Sequence, residues 1–299
     1  MFYLAHISDI HLAPLPVPTL GQLFGKRITG YINWKKHRGL NLESHTLNRL
    51  MQELHMRGPD HLAITGDLVN LALDQEFAQA RKWLYEQGDP KDISLVFGNH
   101  DAYVIGAFKR ACQYFKPWIS SDIETSKQAL FPYLRIRDRV AIIGVSSAVA
   151  TSPFCAVGHF SRKQARALRT LCDLCREQHL FTVVLIHHPP LTHAATFYKK
   201  LWGIKRLQKV VAECGANLIL HGHTHLPTLS YINGTNGDFV PVVGISSASQ
   251  SFNGKKPAAA FNWFAIEQRD NQWSCMLSRY SVINDQDVVR CTQTQKLCL

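Results

Sequence analysis

Ile93-Ser94-Leu95-Val96-Phe97-Gly98-Asn99-His100-Asp101 decides how this 299-residue chain is read. The run from Ile93 to Phe97 is short and apolar, the pattern of a buried strand. Gly98 at its exit lets the backbone turn tightly and approach a ligand. An amide, an imidazole and a carboxylate then follow in succession. Alone, the quartet is also an ordinary strand-to-turn junction, because Gly, Asn and Asp all favour turns. Repetition argues for more. Four further clusters of metal-type ligands follow apolar, strand-like runs elsewhere in the chain.

Working outward, residues 2–7 read as the first strand, with Ser8-Asp9-Ile10-His11 at its end. Two side chains two positions apart at a strand end point the same way, which suits a shared metal. Residues 60–65 read as a second strand ending in Gly66-Asp67. Residues 181–186 form a strong apolar run, followed by His187-His188-Pro189-Pro190. Residues 217–220 lead into His221-Gly222-His223-Thr224-His225. Helical spacing appears between these strands. Leu47, Leu50, Met51 and Leu54 mark a helix over 43–57, and Phe77, Ala80, Trp83 and Leu84 one over 74–86. Residues 107–115 suit a short helix, and 161–178 a basic amphipathic one with Ser161 and Gln164 in capping-box spacing. Strand, motif and helix in alternation predict a sheet with ligands gathered outside the carboxyl ends of its strands.

Residues 133–145 read as two strands around an Arg137-Asp138-Arg139 turn. Past 227 the pattern is antiparallel. Asn233-Gly234 and Asn236-Gly237 mark a hairpin near 231–243, and Asp270-Asn271 a second between 260–267 and 272–280. No repeat or long linker interrupts the chain. Residues 1–299 therefore read as a single domain with an insertion at 12–42 and an antiparallel region at 227–285.

Apolar content of 46% and charged content of 18% are those of a globular protein. The formal net charge of +11 favours anionic partners without choosing among phosphates, nucleic acid and acidic lipid. The insertion opens with Pro14, Pro16 and Pro18, then sets Phe24, Ile28, Tyr31, Ile32 and Trp34 among Lys26, Arg27, Lys35, Lys36 and Arg38. No acidic residue lies between Asp9 and Glu43. This is the composition of a cap meeting an anionic or lipid-like substrate or a membrane surface, or of a solvated basic face. A second basic stretch covers 198–209 around Trp202.

Eight cysteines show no disulfide framework, and the lone Cys172–Cys175 CxxC is a weak metal signal. Reduced thiols and a cytoplasmic location are expected, with peripheral contact at the inner membrane face through 12–42. Residues 1–7 are apolar but have no basic n-region before them and no small-residue cleavage site after them, so no signal peptide is expected, and without an apolar run of about 18 residues no membrane span is expected.

The strand-end groups are Asp9, His11, Asp67, Asn99, His100, His187, His223 and His225. Carboxylates with imidazoles suit a borderline divalent ion such as Mn, Fe, Zn, Co or Ni. The lack of cysteine among them argues against a closed structural zinc site. So many donors are too many for one ion and about right for two with open positions. Two ions roughly 3.5–4 Å apart can grip a phosphoryl oxygen, activate a water and stabilise an in-line displacement.

The ordered motifs DxH, GD, GNHD, HHPP and GHTH, spread over residues 4–226, resemble those of the calcineurin-like metallophosphoesterases. The resemblance implies an α/β fold, a four-layer α/β/β/α sandwich with a dimetal site at strand ends. It implies that Asp9, His11 and His225 hold one metal, that Asp67 bridges, and that Asn99, His187 and His223 hold the other. His100 would face the phosphate and help the leaving group, with Asp101 orienting it. Family spacing picks His187 over His188. His221 reads as a strand-end residue or a partner of a ligand, while His6 and His159 read as structural.

The implied activity is hydrolysis of a phosphodiester or pyrophosphate by a metal-activated water. The HHPP form and the length resemble the cyclic-nucleotide and glycerophosphodiester branch. The basic, aromatic insertion resembles that of pyrophosphatases acting on a UDP-linked acylated sugar. A nucleic-acid substrate has only net charge behind it. The alternative class is a non-catalytic binding scaffold, against which stands the full set of ligand types.

Overall fold

Residues 1–36, 44–122 and 130–298 are described by a computed structural model. In chain order the first strands are β1 (Phe2–Ile7), β2 (His61–Ile64), β3 (Ile93–Leu95), β4 (Tyr133–Arg137), β5 (Val140–Gly144), β6 (Gly158–His159) and β7 (Phe181–Leu185). The rest are β8 (Leu201–Trp202), β9 (Leu218–His221), β10 (Leu229–Asn233), β11 (Phe239–Gly244), β12 (Ala260–Arg269), β13 (Gln272–Val282) and β14 (Val289–Lys296). The helices are α1 (Lys26–Lys36), α2 (Ser44–Met56), α3 (Asp74–Gln87), α4 (Ala107–Tyr114), α5 (Arg162–Glu177) and α6 (Ile204–Cys214).

Two six-stranded sheets carry the fold, in the orders β14-β13-β12-β1-β2-β3 and β10-β11-β9-β7-β5-β4. In the first, β1, β2 and β3 run parallel and β12 closes antiparallel on β1. In the second, β5, β7, β9 and β11 run parallel, with β4 and β10 antiparallel at the edges.

Side-chain alternation sets the layers. Val140, Ile142, Val183, Leu185, Leu218 and Leu220 enter one apolar core together with Leu4 and Ile7 of the first sheet. Their neighbours Ala141, Ile143, Val184 and Ile219 enter another with Leu168 and Leu171 of α5 and Leu207 and Val211 of α6. Strands buried on both faces read as continuous apolar runs, as these do. The two sheets meet where the Phe181 and Trp273 rings lie 5.4 Å apart and where Tyr133 OH donates to Leu95 O at 2.9 Å. On its far side the first sheet is covered by α2, which packs on β12, β13 and β14. Helix, sheet, sheet, helix is the expected four-layer order.

Three features depart from the sequence expectations. The helix α6 begins inside the basic stretch 198–209, which carried no helix assignment. The C-terminal region runs past 285 to β14, and it divides between the sheets: β10 and β11 join the second, β12 to β14 the first. The insertion at 12–42 contributes α1, while its residues 37–42 lie outside the described residues. No residue of α1 is buried. Half-buried Tyr31 and Trp34 pack against the core, and Arg27 adds a tie, its guanidinium donating to Leu71 O at 2.9 Å and Ala72 O at 2.7 Å.

Candidate metal centre

The parallel strands bring the motifs to one edge. Asp9 N–H donates to Gly66 O and His11 N–H to Asp67 O, each at 2.9 Å, so the exits of β1 and β2 are laced together. On the second sheet, Gly222 N–H donates to His187 O at 3.1 Å. The exits are contorted. Asp9, His11, Asp67, His223 and His225 have φ of 52°, 44°, 54°, 68° and 56°. Non-glycine residues adopt that left-handed region at a cost of about 1 kcal/mol or more each, and such residues cluster at functional sites. Two glycines make room. A Cβ on Gly98 would lie 2.7 Å from His187 Cε1 and strike the Asp67 carboxylate, and one on Gly222 would lie 2.5 Å from Asp9 Oδ2.

Asp9, His11 and His225 bring one ligand atom each within 4.8 Å of one another, as do Asp9, Asp67 and His187. His225 Nε2 is 3.1 Å from Asp9 Oδ1. His11 donates from Nδ1 to Val69 O at 3.2 Å, which turns Nε2 inward, 3.9 Å from Asp67 Oδ2. The same Asp67 oxygen lies 3.4 Å from His187 Nε2. Its other oxygen accepts the His100 N–H at 2.7 Å.

His187 and His188 divide by tautomer. His187 donates from Nδ1 to Thr65 O at 2.6 Å, and its buried Nε2 makes no hydrogen bond among the described residues. A carbonyl partner on one ring nitrogen fixes the other as a lone-pair donor, the usual arrangement of a metal-ligating histidine. His188 donates from Nε2 to Ala156 O at 3.1 Å and meets the Ser147 hydroxyl through Nδ1 at 2.8 Å. Both its nitrogens are committed, although it lies in a cluster with His187 and His223. His223 gives its Nε2–H to Lys199 O at 2.9 Å, so Nδ1 presents a lone pair to Asn99 Oδ1, also at 2.9 Å. Two acceptors facing each other are the arrangement a cation would bridge. The donor set therefore fits divalent ions, and these His/Asp clusters could hold them.

His100 and Asp101 take roles that the sequence does not reveal. His100 Nδ1 donates to Asn70 O at 2.6 Å. The Asp101 carboxylate accepts N–H groups from Asp67, Gly98, Leu68 and Val69 at 2.8, 2.9, 2.9 and 3.3 Å. That fills its acceptor sites. The expectation that Asp101 orients His100 is corrected accordingly: a backbone carbonyl takes that task, and Asp101 shapes the loop. Glu76 continues the work, accepting from Asn70 N–H at 2.7 Å, Leu71 at 3.0 Å and Leu73 at 2.9 Å.

Two residues join the site that sequence reasoning missed. The Tyr103 ring stacks on His100 with centroids 5.2 Å apart, and Lys26 Nζ sits 4.5 Å from the Tyr103 centroid. Lys26 belongs to the insertion, whose basic character was the available signal. His221, His6 and His159 belong to none of these ligand groups. His221 meets Gly222 O through Nδ1 at 2.9 Å, His6 meets Thr65 Oγ1 through Nε2 at 2.9 Å, and the exposed His159 gives its backbone N–H to Ser147 O.

A profile of the calcineurin-like phosphoesterases matches residues 2–227, most of the chain. The protein belongs to the calcineurin-like phosphoesterase family. A dimetal phosphatase from Danio rerio superposes with a TM-score of 0.59 at 11% identity, over 99% of this chain and 98% of that one. A purple acid phosphatase from yellow lupin gives 0.56 at 12% identity, over 99% of this chain and 53% of that one. At such identities the likeness is one of fold, and this phosphoesterase spans about half the length of the lupin enzyme. A comparison with curated proteins found no match.

In this phosphoesterase burial and charge work against each other. Burial alone would raise the Asp9 and Asp67 carboxyls, but His225 beside Asp9 and His187 beside Asp67 hold both below the usual range. Burial would lower His187, but the Asp67 carboxylate raises it to about 9. His188 is pushed down to about 3 and His223 well below its ordinary value, first by burial and then by neighbouring imidazoles. Burial, with the Asp67 charge added, pushes Asp101 up to about 7 against the pull of the Gly98 and Asp67 N–H groups. Asp9 and Asp67 are thus held anionic and His188 and His223 neutral, while the metal-free His187 keeps a proton that a bound ion would displace.

Proposed function

We propose that the protein hydrolyses a phosphodiester or pyrophosphate bond with two divalent transition-metal ions bound at this centre. In this reading Asp9, His11 and His225 hold one ion, Asp67 bridges, and Asn99, His187 and His223 hold the other. The observation that carries it is Asp67 Oδ2, buried between His11 Nε2 at 3.9 Å and His187 Nε2 at 3.4 Å. When bound, the ions would polarise a phosphoryl oxygen and supply an acidified water. The chain does the rest. Asp101 and Glu76 keep the loop after β2 in shape, and that loop aims Asp67. The Asn70 carbonyl fixes His100, whose Nε2 carries the proton to the leaving oxygen.

Within this class, the HHPP form favours cyclic nucleotides and glycerophosphodiesters, and the basic insertion favours a UDP-linked lipid precursor. All eight cysteines are free, which suits the reducing cytoplasm. No described helix is long and apolar enough to cross a membrane. A non-catalytic scaffold is the competing reading, and the full donor set speaks against it.

The test is turnover of bis(p-nitrophenyl) phosphate against p-nitrophenyl phosphate by metal-depleted protein, with Mn, Fe, Zn, Mg or nothing added back. Diester cleavage restored by a transition metal is the expected result. A protein that takes up no ion and cleaves neither ester would hand the chain to the scaffold reading.

A further inference from the structure

Three segments lie side by side next to the metal centre. Lys26 Nζ, at the start of α1, donates to Thr151 Oγ1 at 2.6 Å and Cys155 O at 3.0 Å. Ala156 N–H donates to Tyr198 O at 2.8 Å, and Gly158 N–H to Lys200 O at 3.1 Å. The third segment borders the centre through the bond from His223 to Lys199 O, and the first through Lys26 over Tyr103 beside His100.

Each segment holds large apolar side chains out in solvent. Val17, Leu20 and Phe24 are 87%, 91% and 87% exposed, Phe154 is 86% exposed, and Phe197 and Trp202 are 62% and 52% exposed. Single exposed apolar residues are ordinary, whereas a group gathered from three neighbouring segments marks an interaction surface. Within these segments the charge has one sign. No Asp or Glu occurs in 10–42, 139–172 or 178–212. Lys35, Lys36, Lys199 and Lys205, in the same basic stretches, are exposed.

We propose that this fringe docks the protein on a bilayer that carries anionic headgroups, with the aromatic side chains inserted and the lysines on the lipid phosphates. Apolar groups flanked by cations are the pattern that binds such an interface. A second copy of the chain is a poor occupant, because it would bring the same acid-free, basic strips face to face. Docked this way, the metal centre sits at the headgroup level. The proposal does not rest on the hydrolytic reading, since it is tested without substrate.

The experiment is co-sedimentation of the full chain with vesicles of phosphatidylcholine alone, or of equal parts phosphatidylcholine and phosphatidylglycerol. Binding is expected to the mixed vesicles and not to phosphatidylcholine. Phe24→Ser combined with Phe154→Ser should weaken that partitioning by about tenfold or more, and Lys35→Glu with Lys36→Glu should weaken it too. Both pairs are exposed, so the melting temperature should hold. Three results would overturn the proposal: no binding to either vesicle, binding that ignores the aromatic pair, or a dimer in sedimentation velocity that the aromatic pair dissolves.

Discussion

Asp67 and Asp101 are both buried carboxylates, and replacing them should fail in different ways. Asp67→Asn keeps the shape and the acceptor for His100 N–H but loses the charge shared by His11 and His187. Its metal content, read by plasma mass spectrometry, should fall, and diester turnover should drop by more than about a hundredfold. Asp101→Ala removes no proposed ligand side chain, although it frees the Asp67 N–H. It strands four buried N–H groups, and an unmet buried donor costs about 1–3 kcal/mol. Urea unfolding should show a loss of about 3 kcal/mol or more. A variant as stable as the parent would deny Asp101 its loop-shaping role. The candidate ligands could be read from sequence because each motif is local: an apolar run, then two or three donors. The work of Asp101 could not. Three of its four partners sit more than thirty residues away, and nothing in a GNHD quartet says which way its last carboxylate turns. Tyr103 and Lys26 were hidden for the same reason, because ring stacking across two segments leaves no trace in spacing.

At the scale of elements, α1 packs on the core through the half-buried Tyr31 and Trp34 and is held as well by polar ties. Arg27→Ala removes its bonds to Leu71 and Ala72 and should loosen the helix from the loop that carries Asp67. The expected outcome is unchanged metal content with a raised KM for the diester, measured on metal-loaded protein. A fall in metal content would mean that α1 helps to build the centre itself. The strands carrying motifs were legible because they are buried on both faces and so read as unbroken apolar runs. Two of the elements that were not are β14 and α6. Over β14, Val289–Lys296, nearly every side chain is exposed, and an edge strand of Arg, Thr and Gln shows no alternation. In α6, Ile204, Leu207, Val210 and Val211 are spaced helically, but Lys205, Arg206 and Lys209 between them drew the eye to charge.

Across the whole molecule, several imidazoles are buried in the neutral form. His6 is pushed down to about 3 and His61 well below its ordinary value of 6.5, chiefly by burial. A group whose pKa is lowered by folding binds its proton more readily when unfolded. The stability it supports is present above pH 6.5 and is lost as pH falls below that value. At pH 5 each such group costs up to about 2 kcal/mol. The urea midpoint of metal-depleted protein should therefore fall between pH 7.5 and 5, and His61→Gln should flatten the fall. An unchanged midpoint would mean that these rings are protonated in the folded state.

The left-handed backbone at Asp9, His11, Asp67, His223 and His225 has a consequence for how the family can change. These are positions where glycine is at ease and aspartate or histidine is not. His225→Gly should give a metal-free protein with a higher melting temperature and a ruined centre. A lineage released from catalysis would lose its ligands early and gain toughness with each loss.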